Sequence, residues 1–370
     1  MKQKSINFNC TYPWTGILID PTGMIKLCCL MNSKSRLFNK HISEVDSLID
    51  FFNGKEYKEV RKEFEEKTWR NVKECGSCRR IYDDGRYCSV IESQSYDPTI
   101  NKLQFLEFTA SNICNQSCVM CSSKFSNQWI ELDKLFDDPR HRSNLHTLSD
   151  KDIDKICDCL KDLKKLVIKG GEPFADLRNY KILKKLFETN KTSEVHIVTN
   201  GSIIAEKYMK ILSNNAKKKD GWPRIYIFAS IDAVGKRYEW IRGTPWEKTN
   251  NTLKKLYEKT GIKSQLVPTM SVYNINSTSE LIEWAKNSEY IDDNPGGWDG
   301  EIPWYKNDVT WPEWADPRKV FKQEEIDTVK DLPFPLKSNF DEYIYKQHLK
   351  YTKIMNNIRG FDIDIWGDMK

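Results

Sequence analysis

Three cysteines packed into eight residues are the part of this chain best suited to chemistry. Cys114, Cys118 and Cys121 stand in the run Thr109-Ala110-Ser111-Asn112-Ile113-Cys114-Asn115-Gln116-Ser117-Cys118-Val119-Met120-Cys121, spaced C-x3-C-x2-C. Thiolates are soft ligands and suit iron–sulfur clusters. A compact loop with this spacing could hold three irons of a four-iron cubane and leave the fourth without a protein ligand. An open position of that kind is where a metal centre does its chemistry. Two blander readings compete: a zinc site, or three core cysteines. A closed zinc site wants four ligands, and neither a histidine nor a fourth cysteine stands close by in the sequence. Unrelated core cysteines rarely gather so tightly.

The elements around the loop follow from hydrophobic periodicity. Residues 103–109 alternate and read as a strand that ends where the loop begins. Further β-rich runs fall at 166–168, 195–199, 225–231 and 265–272, with Pro268 weakening the last, and a sixth is expected near 304–310. Apolar stripes at helical spacing lie between them. One comprises Ile153, Ile156, Cys157, Leu160 and Leu163, with Ser149 as N-cap; others comprise Tyr180, Leu183, Leu186 and Phe187, and Leu253, Leu256 and Tyr257. Alternating strands and helices predict an α/β fold with a parallel sheet. Six units are too few for a closed eight-stranded barrel, so a partial (βα)6 barrel is expected. Residues 42–69 and 317–359 also read as helical. Three segments are expected: a cysteine-rich module over 1–98, the partial barrel over 99–316 and a helical extension over 317–370.

The chain has 370 residues, 39% hydrophobic and 30% charged, an ordinary globular composition. Its 58 basic and 53 acidic residues are interspersed, which argues against nucleic acid as a partner; Lys217-Lys218-Lys219 reads as a solvated turn. Residues 1–7 lack the apolar stretch of a secretory signal, and no apolar run approaches a membrane span. A cytoplasmic protein without membrane contact is expected. Eleven cysteines there are poor disulfide candidates, so metal ligation is the natural use for those that cluster.

The C-x3-C-x2-C loop after a first strand, with partial-barrel periodicity behind it, resembles the radical S-adenosylmethionine (SAM) superfamily. Met120 stands where the family usually has an aromatic residue. The resemblance implies an enzyme in which the amino and carboxylate groups of SAM chelate the open iron. An electron from the cluster then breaks a carbon–sulfur bond, leaving methionine and a 5′-deoxyadenosyl radical that takes hydrogen from a substrate. Lys169-Gly170-Gly171-Glu172-Pro173 resembles the family's GGEP motif, which contacts the methionine amino group. Paired glycines let backbone approach a ligand closely. Thr199-Asn200-Gly201 is similar to a segment near the ribose, and Ser230 and Asp232 to a ribose and carboxylate contact region. Arg242 resembles an arginine that reaches the cofactor carboxylate. For each, a plain turn or a solvated side chain is the alternative.

The first cysteine group runs Cys10-x12-Gly23-x4-Cys28, then Cys29, then Cys75-x2-Cys78. This resembles the SPASM and twitch auxiliary-cluster domains, although in most relatives that module follows the barrel. The resemblance implies a second [4Fe-4S] cluster on Cys10, Cys28, Cys75 and Cys78. Cys29 competes with Cys28, and Cys88 has no assigned partner. An all-thiolate structural zinc site is the alternative.

Other residues read more quietly. Cys157 is expected in the core and Cys159 at or near the surface. His196 is expected to be structural, and His141 and His146 to lie in loops. Trp298, Trp304, Trp311 and Trp314 either wall a substrate pocket or form a packed lid. The resemblance implies a peptide or protein substrate and an electron donor such as flavodoxin or ferredoxin. A small-molecule or sugar substrate, a non-catalytic electron-transfer or sensor protein, and a zinc-binding nucleic-acid adaptor are the alternatives.

Overall fold

The computed structural model describes residues 10–31, 40–83, 88–136, 146–217, 224–292, 307–329, 332 and 336–363. His141, Lys218, Lys219, Pro295, Gly296, Gly297, Trp298, Pro303 and Trp304, together with residues 1–7, lie outside the described residues. The fold is α/β, and its main sheet has seven strands. The chain divides into two units: residues 1–112, 144–197 and 217–225 form the first, and 113–143, 198–216 and 226–370 the second.

In the first unit the strands are β1 (Gly16–Ile19), β2 (Ile25–Lys26), β3 (Phe105–Phe108), β4 (Lys165–Ile168) and most of β5 (Glu194–Thr199), in the order β2-β1-β3-β4-β5. β1, β3, β4 and β5 run parallel, and β2 pairs antiparallel to β1. β1 and β3 are buried at every position. Strands covered on both faces read as continuous apolar runs rather than alternating ones. Gly-Ile-Leu-Ile is such a run, only four residues long, and the sequence reading does not mark it as a strand. Pairing Gly16 with Phe105 and Ile19 with Phe108 puts the start of the cysteine-rich segment into the same sheet as the first expected strand.

The helices of this unit follow their stripes. Helix Asp150–Asp158 begins at Ser149, whose side chain accepts from Asp152 N while the Asp152 carboxylate returns the bond, closing a capping box. It buries Ile153 and Ile156. Helix Leu177–Thr189 buries Ile182, Leu183, Leu186 and Phe187. The two cysteines after Ile156 exchange the places expected of them. Cys157 is half-buried, and Cys159 is buried, its sulfur 3.3 Å from Lys155 O. The helix stops at Asp158, so Cys159 turns inward at the C-cap instead of continuing round the helix. His196 is half-buried on β5, 3.8 Å from Glu194.

The second unit holds β6 (Ile225–Ala229, all but its first residue), β7 (Ser264–Leu266), β8 (Thr269–Met270) and β9 (Asn307–Asp308). β6 and β7 are parallel, as are β8 and β9. The single strand expected at 265–272 is broken at Val267-Pro268 into β7 and β8, because proline offers no N–H to the ladder. Among the described residues, β9 is what stands in the place of the expected sixth strand, whose start at 304–306 lies outside them. Helix Trp246–Thr260 buries Leu253 and Leu256. The core is strongly aromatic: Phe136 stacks on Trp314 with centroids 5.8 Å apart, and Trp240 tilts over Tyr273 at 4.6 Å. Trp314, 2% exposed, is therefore a core residue. Among the described residues no helix is long and apolar enough to cross a membrane.

Helix Glu342–Arg359 closes the second unit. Asp341 caps its start through the backbone N–H groups of Tyr343 and Ile344, and Gly360 at φ +76° ends it. Its buried stripe is Ile344, His348, Tyr351, Thr352 and Met355. His348 lies with Nδ1 3.0 Å from Trp314 O, and burial lowers its pKa to about 4. A free histidine titrates near 6.5. The unfolded chain thus binds a proton before the folded one does. Neutral His348 leaves stability intact above about pH 6.5, and the loss deepens as pH falls toward 4, by up to roughly 3 kcal/mol. Urea midpoints measured from pH 7 to 4 should show this fall, and His348→Gln should flatten it.

Candidate functional site

The three-cysteine loop lies wholly in the second unit and is held by its own side chains and by neighbours of that unit. Cys114 N donates to Asn127 Oδ1 at 2.9 Å, and Cys118 O accepts from Trp129 Nε1 at 3.0 Å. Cys121 N closes a tight turn on Cys118 O at 2.9 Å, and Val119 N donates to Ile241 O at 2.8 Å. Gln116 O accepts from Ser126 Oγ at 2.6 Å, and Gln116 Nε2 donates to Tyr238 OH at 3.1 Å. The loop's shape is therefore set before any metal arrives.

Cys118 is buried; Cys114 and Cys121 are half-buried. Burial pushes the Cys121 thiol well above its ordinary pKa, and the nearby Cys118 and Cys114 push it further. The three sulfurs therefore share one electrostatic site. Asn200 Nδ2 lies 3.7 Å from Cys114 Sγ, and Arg242 Nη1 lies 3.6 Å from Cys118 Sγ. Hydrogen bonds to ligating sulfurs are among a protein's means of tuning an iron–sulfur centre.

Other residues marked in the sequence take definite places in this unit. Asn200 also donates to Asn115 Oδ1 at 2.9 Å, and its own Oδ1 accepts from Ser202 Oγ at 2.7 Å. It is thus bonded to the cysteine loop. Thr199 Oγ1 accepts from Gly201 N at 3.0 Å, and Thr199 O accepts from Ser230 N at 2.8 Å. Asp232 is fully buried; it pairs with Arg242 Nε at 2.6 Å and accepts from Thr269 N at 2.8 Å. Arg242 therefore joins Asp232 to the Cys118 sulfur. Met120 is half-buried against the aromatic core.

The Gly170-Gly171 turn lies in the first unit. Both glycines have positive φ, +82° and +52°. A Cβ on Gly170 would come within 2.3 Å of the Thr109 side chain, so glycine is required there by backbone conformation and by close approach to Thr109. Glu172 is fully buried and accepts from Phe174 N at 3.0 Å, and Pro173 O accepts from Asn179 Nδ2 at 3.0 Å. Just before the turn, Lys169 pairs with buried Glu107 on β3.

The N-terminal thiols converge in the first unit as well. Cys10, Cys28, Cys75 and Cys78 line one cavity whose walls include Tyr12, Leu27, Phe64 and Trp69. Of the adjacent pair, Cys28 lies on the wall, whereas the Cys29 sulfur sits 3.8 Å from Ser89 Oγ and within electrostatic reach of Lys169 and Glu107. Cys88, unassigned in the sequence, is a buried free thiol within hydrogen-bonding reach of Cys78. Burial raises Cys10 to about 11 and Cys75 to about 12, so these thiols stay protonated until a metal displaces the protons. Among the described residues no three His, Cys, Asp or Glu side chains are gathered so that they could hold a single metal ion. A cubane asks for something different, since each of its thiolates binds a separate iron. Four thiols round an apolar-walled cavity fit such a cluster, and so do three neighbouring thiols with side-chain donors near two of their sulfurs.

Comparison with known proteins gives a family-model match over each of the two stretches that contain these cysteines. The family model described as the radical SAM superfamily matches residues 108–285, and the SPASM model, an iron–sulfur cluster-binding domain, matches residues 10–79. Curated relatives include GTP 3′,8-cyclases from two Clostridium perfringens strains, SM101 and 13, each 25% identical over 147 residues. The match covers 36% of this chain and 41% of theirs, so the chain spans about two fifths of these relatives. Similar solved structures include native anSMEcpe with bound AdoMet, with a TM-score of 0.39 and 14% identity over 70% of this chain and 63% of that one. SuiB of Streptococcus suis bound to S-adenosylmethionine has a TM-score of 0.37 and 19% identity over 78% and 62%.

Proposed function

Because this chain belongs to the radical SAM superfamily, with a SPASM module ahead of its barrel, we propose that it abstracts a hydrogen atom from a peptide or protein substrate. The observation that carries the reading is the preformed Cys114–Cys118–Cys121 loop, two of its sulfurs approached by Asn200 and Arg242. A [4Fe-4S] cluster held by these thiols would supply the electron for reductive cleavage of SAM to methionine and a 5′-deoxyadenosyl radical, the species that would take hydrogen from the substrate. The chain's own residues hold and orient. In this reading Gly170, Gly171, Glu172 and Pro173 receive the methionine end of SAM. Thr199, Asn200, Ser230 and Asp232 border its ribose side, and Arg242 steadies Asp232 and the Cys118 sulfur. Met120, half-buried against the aromatic core, is placed with these SAM contacts.

Cys10, Cys28, Cys75 and Cys78 are the proposed ligands of the SPASM cluster, in a functional division of 1–98, 99–316 and 317–370. Auxiliary clusters of this type often accompany peptide modification in relatives, which supports the substrate class; flavodoxin or ferredoxin is the proposed electron donor. A small-molecule substrate is the second reading, favoured by the sequence match to cyclases whose name specifies GTP.

Protein reconstituted anaerobically and given dithionite and SAM should release 5′-deoxyadenosine. Its absence would sink the enzymatic reading. Iron content should be about eight per chain and fall to about four in Cys75→Ala/Cys78→Ala, since each cubane holds four irons. About four irons with stoichiometric zinc in the wild type would remove the second cluster.

A further inference from the structure

We infer that Arg359, the last residue of the C-terminal helix, is a positioning residue for the cysteine loop and makes its cluster easier to reduce. The inference rests on the reading that Cys114, Cys118 and Cys121 hold that cluster, and it gives the helical extension a task that no motif assigns.

Arg359 reaches both chain segments that flank Cys118. Nη1 donates to Ser117 Oγ at 3.1 Å and Nη2 to Ser117 O at 2.6 Å, so the guanidinium grips the residue immediately before the ligand. Nε donates to Trp240 O at 2.8 Å. Trp240 is followed by Ile241, whose carbonyl holds Val119 N, and then by Arg242, whose Nη1 approaches the Cys118 sulfur. One turn earlier on the helix, Asn356 Oδ1 accepts from Trp240 Nε1 at 2.9 Å. The guanidinium packs closely on Gly243, where a Cβ would stand 2.8 Å from its central carbon. Arginine's rigid planar fork suits this role, and its charge is permanent.

That charge is the second half of the argument. Among the described residues the acceptors of Arg359 are neutral oxygens, so its positive charge is not cancelled by the groups it binds there. Arg242, by contrast, is neutralised by Asp232. A three-thiolate cluster gains negative charge when it accepts an electron. A fixed cation next to the Cys118 segment lowers the energy of the reduced form more than that of the oxidised form, the more so in a poorly solvated setting. Local charge is a recognised determinant of cluster potential.

The test is a redox titration of the anaerobically reconstituted holoprotein, following the paramagnetic signal that SAM perturbs, which separates this cluster from the other. Arg359→Met should shift the reduction equilibrium at least tenfold toward the oxidised form, or 59 mV for one electron. Arg359→Lys, which keeps the charge and loses the fork, should stay within threefold of wild type. Lys353→Met removes the same charge from an exposed position on the same helix and should shift nothing. The inference fails if Arg359→Met titrates like wild type, or if Lys353→Met shifts as far. It also fails if Arg359→Lys loses iron as completely as Arg359→Met, because the role is then purely structural. A wild type with no signal that responds to SAM would instead overturn the assignment of the cluster to this loop, and the inference with it.

Discussion

Cys118→Ala is expected to abolish reductive cleavage of SAM, lowering 5′-deoxyadenosine formation by ~10³-fold or more while leaving the fold in place. The magnitude follows from the role. A cubane site with three protein ligands has none to spare, and losing one releases the cluster or leaves it mispositioned. Cys118 is the central one of the three proposed ligands, the most buried of them, and the one whose sulfur receives Arg242. The fold should survive, because the loop's scaffold runs through Asn127, Trp129, Ser126 and Ile241 rather than through the thiols. Circular dichroism should match wild type. Iron should drop by about four per chain, since the N-terminal cavity keeps its own ligands. Cleavage retained at more than a few per cent of wild type would show that the radical is not made at this loop.

Arg242→Met is expected to cost stability rather than chemistry alone, by roughly 3–5 kcal/mol. Asp232 is fully buried and is paired with Arg242 at 2.6 Å; without that partner its charge is stranded, with Thr269 N as a remaining donor. Removing one member of a buried pair exposes the whole desolvation cost of the other. Replacing both is a different matter: Asp232→Leu/Arg242→Met should recover most of the loss, because neither charge is then left behind. Chemical denaturation of the two single variants and the double variant, analysed as a cycle, measures the coupling. Additive losses would mean that the pair does not act as a unit.

Much of the candidate site is legible in the sequence, because its chemistry lies in local spacing. Cys114, Cys118 and Cys121, the Gly170-Gly171 turn and the Cys75-Cys78 pair are each set within a few residues. What escapes the sequence is long-range. The bonds of Asn200 to Asn115 and Cys114 carry no sequence signal of their own. Arg359 carries no motif and reaches Ser117 only after the whole second unit has folded. Strand positions are readable where alternation or β-branched runs mark them. β1 is not, being short and buried on both faces. The order of Cys157 and Cys159 depends on where a helix stops, which periodicity alone does not locate.

The pairing of β1 with β3 also bears on how the protein can be taken apart. A cut near residue 98 looks natural on cysteine content, yet it separates two strands in register from Gly16↔Phe105 to Ile19↔Phe108. A barrel expressed without its first 98 residues would present β3 as a raw edge, open to pairing with another copy. During synthesis β1 emerges long before its partner and must wait for β3, so closing the sheet carries the entropy of a long loop. Truncation is therefore a poor way to ask what the N-terminal module does. Cysteine substitutions inside the intact chain ask the same question without opening the sheet.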